Sequence, residues 1–331
     1  MIFSNIDFHN VSEMTENNRG SYIMRRMPVE TEKGQDEITA VQNRNCIGVE
    51  LRFVAKSDIV KIKFDTFVAA KHEQILVFFG DYQFPIPTYI DGDSTEVVID
   101  YPHSFGYEYW FRQKANEQIP HKFSPCVTRI VLPKAEIYFS GVEGEVEVPC
   151  ADMYPKNKFV AYGSSITSGS GAFAQSDCFI ARVAETLGYD VFDYGYPGAC
   201  RLDKASVDFL AKQDFDFITM EMGVNILDVA PEVFAERLEY AIGTVAKSNP
   251  TKKVYAISPF YCYDDLRGEG NPAYMFRKVF DKVLPRLNLP NVIYINGLDL
   301  LGSPEYLLTD YTHPSSRGME QIANNLLKYL K

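Results

Sequence analysis

The sequence predicts a two-part α/β protein, with an all-β sandwich or jelly roll over residues 1–150 and a parallel-sheet α/β domain over residues 151–331. Three observations carry this. Short period-2 runs fill the first part, strand-like and helix-like stretches alternate in the second, and a proline-containing polar stretch, VPCADMYPKNK, separates them. In the first part GVELRFVA, DIVKIKFDTF, QILVFFG, TEVVIDY, VTRIVL and AEIYFSG are rich in β-branched and aromatic residues, and turn-forming pieces such as DGDS and LPK divide them. No convincing helix interrupts them, which points to antiparallel layers. From Lys158 onward FVAY, VFDY, DFITMEM, KKVYAISPF and NVIYIN read as buried strands with helical patterns between them. In residues 231–247, Val233, Phe234, Leu238, Ala241, Ile242 and Val245 gather on one helical face. Met319, Ile322, Leu326 and Leu330 do the same at the end of the chain. Such alternation implies a parallel sheet with helices on both faces and a site at the carboxyl ends of the strands.

Composition narrows the function classes. With 46% hydrophobic and 14% aromatic residues, the 331-residue chain can build packed cores. Its formal net charge of -11 would be repelled by a nucleic-acid backbone or an anionic membrane, so neither is an expected partner. No apolar run approaches the roughly 18 residues of a spanning helix. The N-terminus has neither a basic start nor an apolar core, so the expected location is cytoplasmic. Cys46, Cys126, Cys150, Cys178, Cys200 and Cys262 are scattered without C-x-x-C spacing. They are expected to be reduced and mostly buried rather than paired or metal-bound.

The chemistry-bearing residues follow the predicted strands of the second part. Tyr162-Gly163-Ser164-Ser165-Ile166-Thr167-Ser168-Gly169 comes directly after FVAY and would present a serine hydroxyl at the sheet's rim; read alone, it serves equally as a Gly/Ser loop that caps a helix. Asp310-Tyr311-Thr312-His313-Pro314 precedes the last helix. An imidazole there can take a serine proton while a carboxylate three residues earlier holds its tautomer. The bland alternative makes Asp310 a turn residue and lets Ser315 or Ser316 cap the helix, with His313 a bystander. Of five histidines, His9, His72, His103, His121 and His313, only the last lies in the α/β part. A serine served by a histidine of its own domain must therefore use His313. Tyr194-Gly195-Tyr196-Pro197-Gly198-Ala199 after VFDY lets a backbone N–H approach a ligand, and Glu221-Met222-Gly223-Val224-Asn225 after DFITM brings a side-chain amide to the same rim.

Serine, glycine, asparagine and histidine in this order, each after a separate strand, resemble the SGNH hydrolases, also called GDSL esterases and lipases. The resemblance covers roughly residues 158–331 and implies a flavodoxin-like three-layer α/β/α domain. It implies Ser165 as nucleophile, His313 as base and Asp310 as its orienting acid. The Ser165 N–H, Gly198 and Asn225 would form the oxyanion hole, with no metal and no cofactor. Three positions depart from the family pattern. The usual Gly-Asp-Ser is Gly163-Ser164-Ser165, so two serines compete and the resemblance selects the second. Asp193 stands where block two often begins with asparagine, and Ile226 replaces the aspartate that usually follows Asn225, so that amide needs support from elsewhere.

The resemblance implies a serine esterase acting on short-chain, acetyl esters, and the G-S-S-I-T form together with the preceding β-rich part is similar to carbohydrate acetyl esterases. The expected partner is a small-molecule or oligosaccharide ester; a homo-oligomer is left open. The aromatic stretch Phe105-Gly106-Tyr107-Glu108-Tyr109-Trp110-Phe111 would stack on sugars or, more commonly for such a strand, fill a sandwich core. An acyltransferase, a lipid or thioester hydrolase with the same residues, and an inactive carbohydrate-binding protein are the rival readings.

Overall fold

The computed structural model describes residues 1–66, 72–101, 114, 117–118 and 122–330. The predicted aromatic stretch of residues 105–111 lies outside the described residues, as do His103 and His121. The chain divides into two compact units, one of residues 1–29, 43–157 and 187–190, the other of residues 30–42, 158–186 and 191–331.

The first unit is built from two antiparallel sheets. All six strands expected from sequence form, at Glu50–Ala55, Ile59–Asp65, Gln74–Phe79, Ser94–Asp100, Thr128–Val131 and Tyr138–Glu143. Their alternation is visible in Ser94–Asp100, where Thr95, Val97 and Ile99 are buried and the residues between them exposed. One sheet is centred on Glu50–Ala55 and Thr128–Val131, the other on Ile59–Asp65 and Tyr138–Glu143. Their inner faces share one core, in which Phe8, Leu51, Phe53 and Ile130 meet Ile62, Phe64, Val97 and Phe139. The sandwich has more strands than expected, because Ile6–His9, Glu13–Glu16 and Tyr22–Arg25 also pair. Each is four residues long, as is Thr128–Val131, but none has the run of β-branched residues that marks that strand.

A buried charge cluster pins one of these sheets. Glu50 accepts from Arg52 Nε at 2.8 Å, from Arg129 Nε at 2.8 Å and from Arg129 Nη2 at 2.6 Å. The Phe123 ring lies 4.6 Å from the Arg52 guanidinium and 4.0 Å from that of Arg129. Burial would raise the Glu50 carboxyl, but the two guanidinium groups outweigh it and hold the group below the usual carboxylate range.

The second unit is a five-stranded parallel sheet with helices between its strands. Its elements are β1 (Asn157–Gly163), α1 (Phe179–Leu187), β2 (Tyr189–Gly195), α2 (Lys204–Leu210), β3 (Phe217–Glu221), α3 (Pro231–Ser248), β4 (Lys253–Ile257), α4 (Pro272–Leu287), β5 (Val292–Ile295) and α5 (Ser316–Leu326). The strand order is β2-β1-β3-β4-β5, the flavodoxin-like order, whose switch point lies between β1 and β3. Every residue of β3 is buried, as a strand covered on both faces requires. The helices bury the faces read from sequence, with two corrections. Val233 is 39% exposed, because α3 begins at Pro231 and its first turn leaves Val233 in solvent. Leu330 lies beyond α5, which ends at Leu326, and is only half-buried.

Residues 30–42, placed by the sequence in the β part, belong to the α/β unit, so the expected 1–150 block is interrupted. They carry a short helix, Glu37–Gln42, where none was expected. Asp36 caps it by accepting from Thr39 N–H at 2.9 Å, and six residues are too few for a periodic face to be read. The segment is held to its unit by Gln35 Nε2 donating to Ser206 Oγ at 2.7 Å and Thr39 Oγ1 donating to the Ala199 carbonyl at 3.2 Å. None of the six cysteines is disulfide-bonded; Cys150 is exposed and Cys126 half-buried, the others buried. Among the described residues no helix is long and apolar enough to cross a membrane.

Replacing Glu50 by glutamine deprives two guanidinium groups of their shared carboxylate. Arg52 keeps its two bonds to Asp190 and Arg129 its contact with Asp81, so the loss stays below the roughly 3–5 kcal/mol of an uncompensated buried charge. Glu50→Gln is expected to lower the denaturation midpoint of the β unit moderately in urea titrations. The wild-type contribution is complete above the unfolded carboxylate value of about 4.3 and is lost as pH falls through the depressed folded value; the gap between wild type and variant should therefore close in acid.

Candidate active site

β1 ends at Gly163, and the chain then makes a compact turn. Ser168 N–H donates to the Ser164 carbonyl at 3.1 Å, Ser170 N–H to the Ser165 carbonyl at 2.8 Å, and Ser168 Oγ to the same carbonyl at 2.9 Å. Serine suits this position because its short side chain can satisfy the turn's own backbone groups. Gly163 is required by close approach. A Cβ there would stand 2.1 Å from Thr167 Oγ1 and 2.8 Å from Glu221 Oε2.

The two serines of the turn face different partners. Ser165, 7% exposed, has its Oγ 2.8 Å from His313 Nε2. Ser164, 1% exposed, donates from its Oγ to Glu221 Oε2 at 2.6 Å and from its N–H to the same oxygen at 2.8 Å, and Thr167 Oγ1 adds a third donor at 3.2 Å. The imidazole is therefore on Ser165, and the Ser164 hydroxyl is occupied.

His313 reaches this point from the connection ahead of α5. Its Nδ1 is 2.7 Å from Asp310 Oδ2, while Asp310 Oδ1 accepts from the N–H groups of Thr312 and His313 at 2.9 and 3.0 Å. Between them Tyr311 takes the left-handed conformation, φ 54°, a cost that a bulky residue bears only where the surroundings impose it. Burial would raise the Asp310 carboxyl, but the bonds from His313 and Thr312 prevail and hold it below its ordinary value. Asp310 thus stays ionised at neutral pH and keeps the proton on Nδ1, leaving Nε2 to accept from Ser165. Ser315 also caps α5, accepting from Gly318 N–H at 3.3 Å; capping and the histidine contact coexist on the same stretch.

Gly198 and Asn225 lie on the loops after β2 and β3. Gly198 has φ +68°, a conformation that side-chain-bearing residues rarely adopt. Its loop is fixed by Tyr196 N–H donating to the Gly163 carbonyl at 2.8 Å and by Gly195 N–H donating to Asp193 Oδ1 at 2.7 Å. Asn225 accepts from Cys200 N–H at 3.1 Å. An N–H can only donate, so the atom facing it is the amide oxygen, and the NH₂ points the other way. The support that Ile226 does not provide thus comes from Cys200, and Ile226 is fully buried. Among the described residues the N–H groups of Ser165 and Gly198 and the Asn225 NH₂ donate to no protein acceptor. Also among them, no group of three or more His, Cys, Asp or Glu side chains is arranged to hold a metal.

Glu221 was not singled out from sequence, although it opens the Glu221–Asn225 motif. It is 1% exposed at the end of a fully buried strand, and its Oε1 has no partner among the described residues. Burial raises its carboxyl above the ordinary value, against the pull of the Ser164 and Thr167 bonds. A carboxylate in a strand buried on both faces was the signal available.

Residues 161–321 match the model of the GDSL-like Lipase/Acylhydrolase family. The match spans most of the α/β unit, which carries the sequence pattern of these hydrolases. Solved structures of similar fold extend over both units. A salicylyl-acyltransferase from a tetracycline biosynthetic pathway is 18% identical, with 98% of this chain and 93% of that one covered and a TM-score of 0.78. A family two carbohydrate esterase from Cellvibrio japonicus is 13% identical, with 99% and 95% covered and a TM-score of 0.64. An acetyl xylan esterase from Butyrivibrio proteoclasticus is 14% identical, with 99% and 96% covered and a TM-score of 0.60. No curated protein matches the chain. The protein is a carboxylic ester hydrolase of this fold.

An added methyl at residue 163 must displace Thr167 and Glu221 from the floor of the turn. Overpacking a well-packed site typically costs about 1–3 kcal/mol, so Gly163→Ala is expected to lower Tm and to slow ester hydrolysis strongly, both measurable on the purified variant.

Proposed function

We propose that this esterase removes short acyl groups, acetyl foremost, from hydroxyls of a carbohydrate through an acyl-enzyme on Ser165. The observation that carries the reading is the continuous chain from Ser165 Oγ through His313 to Asp310, at 2.8 and 2.7 Å. His313 Nε2 takes the hydroxyl proton as Oγ attacks the ester carbonyl, and Asp310 stabilises the imidazolium that forms. The tetrahedral oxyanion is received by the N–H groups of Ser165 and Gly198 and the NH₂ of Asn225. The imidazolium then protonates the departing alcohol, and water, activated by the same nitrogen, frees the acyl group. The carbohydrate preference is supported by the full-length likeness to carbohydrate esterases and by the G-S-S-I-T sequence of the turn.

A second reading replaces water by another hydroxyl as the final acceptor, supported by the full-length likeness to the salicylyl-acyltransferase. The acyl-enzyme is common to both; only the species that resolves it differs.

Acetate release from acetylated xylan oligosaccharides and a series of p-nitrophenyl esters test the assignment. Hydrolysis is expected to be fastest for acetyl; a rate that rises with chain length would overturn the acetyl reading. Product shifted from free acid to a new ester on adding an alcohol acceptor would favour transfer. Ser165→Ala and His313→Ala should each remove at least ~10³-fold of kcat, and Asn225→Ala about 10²–10³-fold. A phosphonate probe should label the wild type but not Ser165→Ala.

A further inference from the structure

We propose that Glu221 is a positioning residue for the serine nucleophile, locking the turn of residues 163–168 through Ser164 and Thr167 and so aiming the Ser165 hydroxyl and N–H. The inference rests on Ser165 being the nucleophile. Three donors converge on one oxygen, Oε2: the Ser164 N–H, the Ser164 hydroxyl and the Thr167 hydroxyl. They flank Ser165 on both sides in sequence, and the Ile166 N–H, in the peptide that follows Ser165, donates to the same Ser164 hydroxyl oxygen at 3.1 Å, so the bond to Glu221 is passed on to the backbone at Ser165.

Stability alone gives no reason for a carboxyl here. A buried ionisable group is costly, and an apolar side chain of similar volume would suit a strand whose neighbours are Ile218, Met220 and Met222. What an apolar side chain cannot do is accept the Ser164 N–H, which would otherwise be left unpaired inside the protein. The fit is close enough that Gly163 must lack a Cβ for Thr167 Oγ1 and Glu221 Oε2 to stand where they do.

The same short segment reaches the oxyanion-binding side. The Glu221 carbonyl accepts from Cys200 Sγ at 3.7 Å, and Asn225 accepts from Cys200 N–H at 3.1 Å. Residues 221–225 therefore hold the nucleophile turn with a side chain and the loop carrying Gly198 with a carbonyl and an amide. Attacking oxygen and oxyanion donors are referred to one rigid piece of chain, and misplacement of such groups by about 1 Å can cost on the order of 10²-fold in rate.

The test compares wild type, Glu221→Gln, Ser164→Ala and their double variant, with kcat, KM and Tm measured on p-nitrophenyl acetate and the rate of phosphonate labelling followed in parallel. Glu221→Gln keeps volume and one acceptor oxygen. It is expected to lower kcat and the labelling rate by roughly 10–100-fold, with KM and Tm little changed. Ser164→Ala should do the same, and the double variant should fall no further than the worse single one, since both break one link. If kcat of the single variants stays within about twofold of wild type, or if the losses multiply as independent effects do, the positioning role is overturned. Should Glu221→Gln fail to fold, Ser164→Ala with Thr167→Val decides the matter by the same criteria. Failure of the underlying assignment looks different: wild type is then not labelled at all, or Ser165→Ala is labelled as well.

Discussion

The hydrogen bond between Ser165 Oγ and His313 Nε2 joins residues 148 positions apart, and it forms only when the first and last strand–helix connections of the parallel sheet are both in place. Its two ends are restrained by separate local devices. On the serine side the turn closes on its own carbonyls, and on the histidine side Asp310 binds the ring and the backbone of the same residue. Closing a loop of this length costs conformational entropy once, and the packed β3 and β4 between them already meet that cost. What remains is local, so the imidazole is presented to the hydroxyl by structure that exists without substrate.

The position of the site follows from strand order. With β2-β1-β3-β4-β5, the loops after β1 and β3 leave the sheet side by side at the switch point. Those loops bear Ser165 and Asn225, and the loop after β2 adds Gly198. The sheet thus gathers groups from three strand ends without needing any to be near another in sequence.

This explains what could be read in advance. The parallel sheet, six strands of the sandwich and the meeting of Ser165, His313 and Asp310 were legible, because periodicity is local and because His313 is the sole histidine of its half. The strands near the N-terminus, which lack a run of β-branched residues, and the helix at Glu37–Gln42, too short to carry a period, were not. Nor were residues 30–42 expected in the α/β unit, since their attachment rests on Gln35 and Thr39 meeting Ser206 and Ala199, more than 150 residues away. Glu221 was hidden for the same reason; its contacts with Ser164 span 57 residues.

The three departures from the family pattern share one physical account. At two of them the vacated role is filled by a bond from another part of the chain, and at the third the acceptor oxygen is kept. Where an aspartate usually precedes the nucleophile, Ser164 presents donors instead, and the carboxyl they meet comes from β3. Where block two often begins with asparagine, Asp193 still accepts from Gly195 N–H through an oxygen both side chains possess. Where an aspartate usually follows Asn225, Ile226 packs into the core and Cys200 N–H steadies the amide. What such a site must keep is the direction of a few N–H and O–H groups. A donor–acceptor pair can be reversed or drawn from a neighbouring strand, provided that no buried polar group of the nucleophile turn loses its partner. Residue identity is therefore free to change at the supporting positions while Ser165, His313 and Asp310, whose atoms would handle the proton, have no such latitude.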